Sequence, residues 1–347
     1  MKKKVGIVTG GLSGGGTERF AANLSNYLCE SGVDVFLYTK KKENNEYKLN
    51  QNINRRELMC FHFVKDMISI KNDLEKNEIM ILVGLGIYSN LCACFAKCMG
   101  YKGKIVISER NDPKHDLISM KSRMLRQILY PLADTLVFQT QQARDFYPRY
   151  IQKKGIVIHN PIKEDLPTRS EITNKEIVFA GRLRVQKNPK LMLDSFLEIH
   201  QKHPDYKLRF FGIGPLEKDL KETVYRNGLE EAVVFEGWQS NVHNMIVDSD
   251  IFVMTSDFEG MPNSLMEAMA MGFPVISSDC PAGGPAELIT DGVNGMLFKV
   301  GDKHDLIQKI EYLLDHTIEK ENMGKKAKKI RDTHAIEEIA KKWVEIL

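Results

Sequence analysis

The chain has 347 residues, of which 43% are hydrophobic and 27% are charged, and its formal net charge is +3. This length suits two domains of about 150 residues each, and the composition is that of a folded globular protein rather than a disordered or fibrous one. The longest apolar run, at 79–87, is less than half of the roughly 20 residues that a membrane-spanning helix needs. The apolar segment after the basic start is too short for a signal peptide.

The positive charge is concentrated in the first half. Residues 1–160 hold 25 Lys and Arg against 15 Asp and Glu, whereas the remainder holds 24 against 31. Within 97–154 the count is 12 basic against 5 acidic residues, with Lys121, Arg123 and Arg126 at helical spacing. Such a surface predicts an anionic partner, and we expect an anionic membrane surface. No motif that reads nucleic acid accompanies the charge, so we expect no nucleic-acid partner.

The six cysteines predict reduced thiols, because no secretion signal precedes them. The cysteines of "CACFAKC" at 92–98 lack a standard zinc spacing and lie in an apolar helical stretch. We therefore expect no metal site there.

In chain order, short apolar segments alternate with amphipathic ones along the first half. They predict strands at "KVGIVTG", "DVFLYTK", "IMILVGL", "KIVISE", "TLVFQT" and "GIVIHNP", with helices such as "FAANLSNYLCESG", "NLCACFAKCMG" and "RMLRQILYPLA" between them. Continuously apolar strands separated by helices are typical of a parallel sheet covered on both faces. A polar, turn-rich stretch at 160–176 then predicts a linker.

The same alternation restarts after the linker. Strands are predicted at "IVFAGRL", "KLRFFGIG", "VVFEGW", "DIFVMTS", "PVISSD" and "GMLFKV", with helices such as "KLMLDSFLEIHQKH" and "SLMEAMAMG". The fold class is thus α/β, with two Rossmann-like, doubly wound parallel-sheet domains facing an inter-domain cleft, where ligands lie beyond the carboxyl ends of the strands. We expect domains at 1–162 and 163–332, and a C-terminal helix at 333–347 that packs back on the first domain.

The first strand runs into the glycine-rich stretch "GGLSGGGTERF". Gly15 and Gly16 let the backbone approach a ligand and direct helix N–H groups at an anion. The stretch is not G-x-G-x-x-G, because it ends in Arg19, and no acidic residue follows the second strand, which argues against NAD. An NADP site using Lys40–Lys42 and a purely structural turn both stay open.

In the second half, "FAGRLRVQKN" sets Arg182 and Lys187 just after a predicted strand. Two cations in a loop at a carboxyl end suit a diphosphate, since Arg offers a planar fork and Lys a point charge. The alternative is a solvated loop with two ordinary charges.

The stretch "SDFEGMPNSLMEAMAMG" at 256–272 holds Glu259 and Glu267 eight positions apart. Ser264 and Glu267 predict a capping box, in which Glu267 reaches back to cap its own helix, and Gly272 predicts the end of that helix. Capping leaves Glu259 without a role. We therefore expect Glu267 also to bond a ribose and Glu259 to lie one loop further out, against a sugar.

The backbone of the same stretch predicts a phosphate contact. The amides of Asn263, Ser264 and Leu265 open the predicted helix, and helix N-termini attract anions. They belong to the same edge as the two cations.

Together these stretches resemble the retaining glycosyltransferases of family 4, which have the GT-B architecture, and in particular the members that assemble bacterial polysaccharides and lipid-linked oligosaccharides. The resemblance covers nearly the whole length and rests on "GGGTERFAANLSNYL", "GRLRVQKNP", "EGMPNSLMEAMAMGFPVISSD", "GGPAELITDGVNGMLF" and "MGKKAKKI". It implies transfer of a sugar from a nucleotide diphosphate donor to an acceptor with retention of anomeric configuration.

The resemblance also implies roles for residues. Arg182 and Lys187 would bind the diphosphate, Glu259 the donor sugar and Glu267 the ribose, with the base near Gly212. The expected residues that bind the nucleotide-sugar donor are Gly15, Gly16, Arg182, Lys187, Gly214, Trp238, Met261, Pro262, Asn263, Ser264, Leu265 and Glu267. The expected catalytic residues are Glu259, Glu109, Arg182 and Lys187.

One position departs from the commonest family pattern. Where many members have His, "IVISERND" has Glu109, Arg110 and Asn111. Glu109 either accepts a proton or holds a sugar hydroxyl, or it makes only a surface salt bridge. Family members are thought to use the departing phosphate as the base.

The remaining motifs predict no metal and no bound cofactor. "DSD" at 248–250 precedes the strand "IFVM", whereas the metal-binding D-x-D of the other glycosyltransferase fold follows a strand. We expect Arg, Lys and helix amides to meet the phosphate charge instead, and His159 to be a packed or hinge residue.

The expected partners are a nucleotide-sugar donor, in particular a UDP-sugar, and a glycan or polyprenyl-diphosphate-linked acceptor. The basic first half predicts a cytoplasmic protein held peripherally at the inner face of the cell membrane. A UDP-N-acetylglucosamine 2-epimerase with the same architecture and a non-catalytic nucleotide- or glycan-binding protein are the alternatives.

Overall fold

The chain divides into two units, each built on one parallel sheet. A computed structural model describes residues 2–39, 42–43, 45–58, 63–115 and 119–347. The first unit comprises Met1–Pro161 with Ile336–Leu347, and the second comprises Ile162–Ala335. Lys40 and Lys41, which belong to the NADP alternative, lie outside the described residues.

The first unit contains a seven-stranded sheet with the order β3-β2-β1-β4-β5-β6-β7, in which every neighbouring pair is parallel. Its strands are β1 (Lys4–Val8), β2 (Asp34–Thr39), β3 (Asn54–Glu57), β4 (Ile81–Leu85), β5 (Lys104–Ser108), β6 (Thr135–Phe138) and β7 (Gly155–Val157). The polar edge strand β3, "NRRE", was not predicted, because an edge strand that is largely exposed carries no apolar run.

Among the described residues, helices lie between consecutive strands of this sheet except between β2 and β3, because parallel neighbours need a crossover connection. They are α1 (Gly16–Glu30), α2 (Phe63–Lys76), α3 (Ile87–Cys98), α4 (Met120–Leu129), α5 (Gln141–Asp145) and α6 (Arg149–Gln152), with a 3-10 helix at Tyr130–Leu132.

The second unit contains a six-stranded parallel sheet with the order β10-β9-β8-β11-β12-β13. Its strands are β8 (Glu176–Ala180), β9 (Lys207–Phe211), β10 (Val233–Gly237), β11 (Ile251–Met254), β12 (Val275–Ser278) and β13 (Met296–Phe298). Ile177 and Phe179 pack in one apolar cluster and Val178 in another. Since alternate residues of a strand point to opposite faces, this sheet is covered on both sides.

Eight helices of the described chain belong to the second unit. They are α7 (Pro189–Lys202), α8 (Glu217–Arg226), α9 (Val242–Met245), α10 (Asn263–Met271), α11 (Gly284–Leu288), α12 (Lys303–Asp315), α13 (Thr317–Ala327) and α14 (Ile330–Thr333), and a 3-10 helix spans Val185–Lys187.

The strand order creates a switch point in the second sheet. From β8 the chain moves outward to β9 and β10, then returns to form β11 on the other side of β8. Connections that leave two neighbouring strands in opposite directions open a crevice at their carboxyl ends, where ligands of such sheets bind. The residues that follow β8 and β11 therefore face one crevice.

The last helix, α15 (Ile336–Ile346), belongs to the first unit. Trp343 is fully buried there, and its ring lies 5.3 Å from the ring of Phe20 on α1. The apolar cluster under α1 includes both side chains.

Both units have the predicted architecture of a Rossmann-like parallel sheet with helices on its faces, so the predicted fold class is confirmed. None of the helices within the described ranges is both long and apolar enough to cross a bilayer.

Candidate functional site

Arg182 lies two residues beyond the end of β8, at the switch point. The side chain is exposed, and among the residues that the structure describes its guanidinium has no hydrogen-bond or ion-pair partner. A cation placed this way is available to an anionic ligand.

Lys187 ends the 3-10 helix that follows Arg182 and is held differently. Its Nζ donates a hydrogen bond to Oε1 of Glu259, and the two side chains are only 15% and 10% exposed. The Ser256 hydroxyl donates to the same oxygen at 2.8 Å. The structure thus brings two predicted site residues from the ends of β8 and β11 into contact, and Lys187 is not a solvated loop charge.

The loops that carry this pair are tied together. The Asp257 N–H donates to the Gln186 carbonyl at 2.8 Å, and the Gln186 side-chain amide donates to the Phe258 carbonyl at 3.0 Å. The Asn188 side-chain amide donates to Asp257 Oδ1 at 2.9 Å. These bonds hold the loop after β8 against the loop after β11, which fixes the distance between Lys187 and Glu259.

The segment after β12 supports Glu259 from a third direction. The Glu259 N–H donates to the Pro281 carbonyl at 2.7 Å, and the Ala282 N–H donates to the Glu259 carbonyl at 2.8 Å. A Cβ atom added to Gly284 would lie 1.8 Å from the Gly260 carbonyl oxygen, so this approach requires glycine. Burial, together with the charge of the Glu259 carboxylate, raises the pKa of the neighbouring Cys280 thiol to about 12.

The helix after Glu259 begins earlier than a capping box at Ser264 requires. α10 starts at Asn263, Pro262 occupies the N-cap without a side-chain hydrogen bond, and the first intrahelical bond runs from the Met266 N–H to the Pro262 carbonyl at 3.1 Å. Glu267 is therefore the fifth helical residue rather than the third, out of reach of the cap. The predicted capping box of Ser264 and Glu267 is wrong.

The C-terminal end of α10 agrees with the prediction, and its N-terminal end presents backbone N–H groups. Gly272 ends the helix in the left-handed conformation with φ of 92°, as predicted. The N–H groups of Ser264 and Leu265 precede the first intrahelical bond and point out of the helix N-terminus. The end of α10 therefore presents a positive partial charge beside the loop of Glu259.

Glu267 has a partner that sequence reasoning missed. His243 on α9 donates from Nε2 to Glu267 Oε2 at 2.9 Å, and both side chains are largely buried. The two residues are 24 positions apart, and His243 lies on a four-residue helix. No spacing signal in the sequence links them.

The proposed base-binding residues follow β9 and β10. Gly212 has φ of 134°, and a Cβ added there would lie 2.1 Å from the Gly181 carbonyl oxygen. A Cβ added to Gly214 would lie 2.3 Å from the Leu183 carbonyl oxygen. The two glycines thus let the loop after β9 pass over the backbone around Arg182. Trp238, just beyond β10, is exposed.

In the first unit, Gly15 is the N-cap of α1 and Gly16 is its first residue. No side chain caps this helix. A Cβ added to Gly15 would lie 2.0 Å from Glu18 Oε2, so the glycine allows that carboxylate to fold over the helix N-terminus.

Glu109 follows β5 and is buried. Its Oε1 accepts hydrogen bonds from the Tyr130 hydroxyl and from the Asn90 side-chain amide, the latter at 3.3 Å. Burial and the Glu109 charge raise the pKa of Tyr130 well above its usual value. A surface salt bridge, one of the two alternatives for Glu109, is wrong because the carboxyl group is inside the unit.

The "DSD" motif lies before β11, at the opposite edge from the switch point. Asp250 is buried, and its oxygens accept from Arg169 at 3.2 Å, Lys320 at 2.7 Å and Tyr206 at 2.8 Å. Asp250 is therefore the centre of a buried polar network. Across the described ranges, no three His, Cys, Asp or Glu side chains are grouped as metal ligands.

The predicted basic face needs one correction. Lys121 and Arg123 on α4 are exposed, but Arg126 is buried and donates from Nη1 to the Pro113 carbonyl at 3.0 Å. Arg126 has the predicted helical spacing, but its side chain points into the first unit. It therefore does not belong to the exposed basic face.

At the switch point the geometry combines an open guanidinium, an ammonium paired with a buried carboxylate, and an uncapped helix N-terminus. Two cations and backbone N–H groups suit the oxygens of a diphosphate, and a carboxylate beside them suits the hydroxyls of an attached sugar.

Known proteins are similar to this chain in sequence. Residues 162–330 match the family model of glycosyl transferases group 1. Along the full length the chain is similar to the GalNAc-α-(1→4)-GalNAc-α-(1→3)-diNAcBac-PP-undecaprenol α-1,4-N-acetyl-D-galactosaminyltransferase of Campylobacter jejuni, at 25% identity over 99% of this chain and 98% of that protein.

Two solved structures share the fold. Sucrose-phosphate synthase from Thermosynechococcus elongatus superposes with a TM-score of 0.85 at 17% identity, covering 99% of this chain and 98% of the other. Anabaena Alr3699/HepE in complex with UDP and glucose does so with a TM-score of 0.84 at 17% identity, covering 99% of both chains. The chain is accordingly a glycosyltransferase with the GT-B architecture, and its residues 162–330 match the family model of glycosyl transferases group 1.

Proposed function

We propose that the protein moves a sugar from a nucleotide diphosphate donor to a glycan or lipid-linked acceptor, with retention of anomeric configuration. The observation that carries the proposal is the meeting of Lys187 and Glu259 beside Arg182 at the switch point of the second sheet.

Arg182 and Lys187 bind the diphosphate in this proposal. Arg182 has no competing partner among the described residues, and Lys187 is already fixed by Glu259. The N–H groups of Ser264 and Leu265 at the start of α10 add two further hydrogen bonds. When the bond between sugar and phosphate breaks, negative charge grows on the diphosphate, and preorganised cations and amides stabilise it most at that point.

The remaining site residues contact different parts of the nucleotide-sugar. Glu259 contacts the hydroxyls of the donor sugar, Glu267 holds the ribose in the orientation that His243 sets, and Gly214 and Trp238 lie along the base. In the first unit, Glu109 accepts a hydrogen bond from an acceptor hydroxyl. The acceptor hydroxyl attacks the anomeric carbon on the face from which the diphosphate departs, which retains the configuration without a protein nucleophile. The departing diphosphate takes the proton of that hydroxyl, so no protein general base is needed.

We propose a UDP-sugar, either a UDP-hexose or a UDP-N-acetylhexosamine, as the donor. The bound UDP and glucose of the similar Anabaena structure support this choice. We propose an acceptor carried on a polyprenyl diphosphate, in the assembly of cell-surface polysaccharide at the inner face of the membrane. The undecaprenol-linked substrate in the name of the Campylobacter relative and the basic first half support it.

We also propose that the reaction needs no metal, since cations and helix amides already meet the phosphate. Treatment with EDTA should leave turnover unchanged. An enzyme that recovers activity only when Mg²⁺ or Mn²⁺ is restored would overturn this part.

A panel of nucleotide sugars tests the function. The true donor should raise the unfolding temperature, because a ligand that binds only the folded state stabilises it, and sugar should then pass to a polyprenyl-diphosphate-linked acceptor. NMR of the product gives its anomeric configuration, and inversion would refute retention. Epimerisation without acceptor, or binding without turnover, would refute transfer itself.

Glu259→Gln is the matched variant for this test. It should leave the affinity for free UDP near the parental value and lower turnover about 100-fold, the size expected when an electrostatic contact to the transition state is lost. Transfer at the parental rate would remove Glu259 from the mechanism.

A further inference from the structure

The helix α4 turns its apolar side chains toward solvent. Met120, Met124 and Ile128 are 74%, 59% and 64% exposed. They are four residues apart, so they form one stripe along the helix.

The stripe points away from the body of the first unit. At about 100° per residue, Met120, Met124 and Ile128 span about 80° of the helix circumference, and Leu125, also exposed, extends that arc. The side chains of α4 that are buried, Arg126 and Leu129, lie on the opposite side. An amphipathic helix normally buries its apolar stripe, and an exposed contiguous apolar patch marks an interaction surface.

Aromatic side chains lie beside the helix. The guanidinium carbon of Arg126 is 5.6 Å from the ring centre of Phe146, which is itself exposed, as is Tyr150. They border a groove of about 370 Å³ whose lining includes Arg126, Tyr130, Phe146, Tyr147, Tyr150 and Ile151. Aromatic residues with one polar end are enriched where a membrane meets water.

The charge of α4 favours an anionic partner. The helix contains Lys121, Arg123 and Arg126 and no acidic residue, and Lys121 and Arg123 are exposed. A second copy of the chain docked through the same stripe would bring like charges together, which is unfavourable in a symmetric contact. Anionic lipids instead complement both the apolar stripe and its basic flank.

We propose that α4 docks on an anionic lipid leaflet, with Met120, Met124 and Ile128 inserted at the boundary of headgroups and acyl chains and with Lys121 and Arg123 on lipid phosphates. The inference rests on the proposed function only in its choice of a membrane-borne acceptor, since docking itself needs no catalysis. It differs from attraction by charge alone, because the apolar stripe supplies a contribution that salt does not screen.

Cosedimentation of the full chain with vesicles tests the proposal. The vesicles are pure phosphatidylcholine, or phosphatidylcholine with phosphatidylglycerol, at low and high salt. Met124→Ser with Ile128→Ser should lower the partition coefficient about tenfold or more on the anionic vesicles at both salt concentrations, because buried apolar area is lost. Lys121→Glu with Arg123→Glu should lower it mainly at low salt.

The matched control removes two apolar side chains of the second unit that are even more exposed than Met124 and Ile128. Ile172 and Ile318 are 89% and 75% exposed, and Ile172→Ser with Ile318→Ser should bind vesicles as the parent does. Equal binding by the parent and the Met124, Ile128 variant, or no binding by the parent, would overturn the proposal. So would analytical ultracentrifugation in which that variant turns a dimer into a monomer.

A soluble acceptor analogue separates this inference from the proposed function. The variant with Met124→Ser and Ile128→Ser should transfer sugar to this analogue at the parental rate. A parent that transfers sugar but ignores vesicles refutes the docking surface alone. A parent that binds vesicles through α4 but transfers no sugar refutes the proposed function alone.

Discussion

Arg182 and Lys187 carry the same charge in one loop, but their surroundings differ. Arg182 is exposed, without a partner among the described residues, whereas Lys187 is largely buried against Glu259. Their replacement should therefore have different consequences for the free energy of unfolding.

Arg182→Ala should weaken the binding of free UDP by about 1.5–3 kcal/mol, the value of a hydrogen bond to a charged group, and leave stability unchanged. Lys187→Ala should weaken UDP binding too, and should also cost roughly 3–5 kcal/mol of stability, because the buried Glu259 loses its cation. Adding Glu259→Gln to Lys187→Ala should restore most of that loss.

Titration calorimetry and urea unfolding check this pair of variants. Arg184, exposed in the same loop, provides the control, and Arg184→Ala should change neither quantity. Parental UDP affinity in Arg182→Ala, or parental stability in Lys187→Ala, would contradict the assignment.

Glu267 and His243 form the second residue-scale prediction. If Glu267 bonds the ribose, Glu267→Gln should erase the preference for UDP over dideoxyuridine diphosphate, while the unfolding temperature changes little because Glu267 caps no helix. His243→Ala should raise the Michaelis constant for the donor without lowering the turnover number, since it frees Glu267 to rotate.

His243→Gln separates positioning from packing. Glutamine can still donate a hydrogen bond to the carboxylate, so it should recover most of the donor affinity. A full preference for UDP in Glu267→Gln would show that the carboxylate does not touch the ribose.

At the scale of elements, the site depends on loops that pass within contact distance of each other. The loop after β9 can cross the loop that carries Arg182 because Gly212 and Gly214 lack a Cβ. Gly214→Ala should displace that loop, and should lower both donor affinity and stability, as overpacking does.

Gly181→Ala is the control in the same loop. A Cβ at Gly181 would meet its nearest neighbour at 3.7 Å, an ordinary contact, so this variant should bind UDP as the parent does. Thermal unfolding with and without UDP compares the two. Normal donor affinity in Gly214→Ala would mean that the two loops are not coupled.

Sequence reasoning at this scale succeeded where the signal was local and failed where it was not. Apart from the edge strand β3, the strands of both sheets follow from neighbouring residues, as does the glycine end of α10. The prediction of a capping box was wrong because the helix begins at Asn263, directly after Pro262. The spacing of Ser264 and Glu267 does not determine which residue is the first of the helix. The prediction that Arg126 belongs to the basic face was wrong because helical spacing does not indicate which face of a helix is buried.

At the scale of the whole molecule, the last residues of the chain complete the core of the first unit. Trp343→Ala should cost about 3–5 kcal/mol of stability, since a large buried side chain is removed. Trp238→Ala removes the same atoms from an exposed position and should cost little stability. Chemical unfolding compares the two, and a Trp343→Ala variant as stable as Trp238→Ala would contradict the packing of α15.

The sequence by itself determined the two-sheet architecture and the sites of Arg182, Lys187 and Glu259 at strand ends. Apolar runs and helical periodicity are properties of neighbouring residues, and the chemistry of a loop after a parallel strand follows from its position.

Only the tertiary structure decided which of these residues meet. Lys187 and Glu259 are 72 positions apart and touch because β11 returns to the side of β8. His243 reaches Glu267, and Arg126 turns inward, through tertiary packing as well. Periodicity states that a segment is a strand or helix, but the order of strands in a sheet and the face that a helix buries depend on long-range packing, which no local pattern contains.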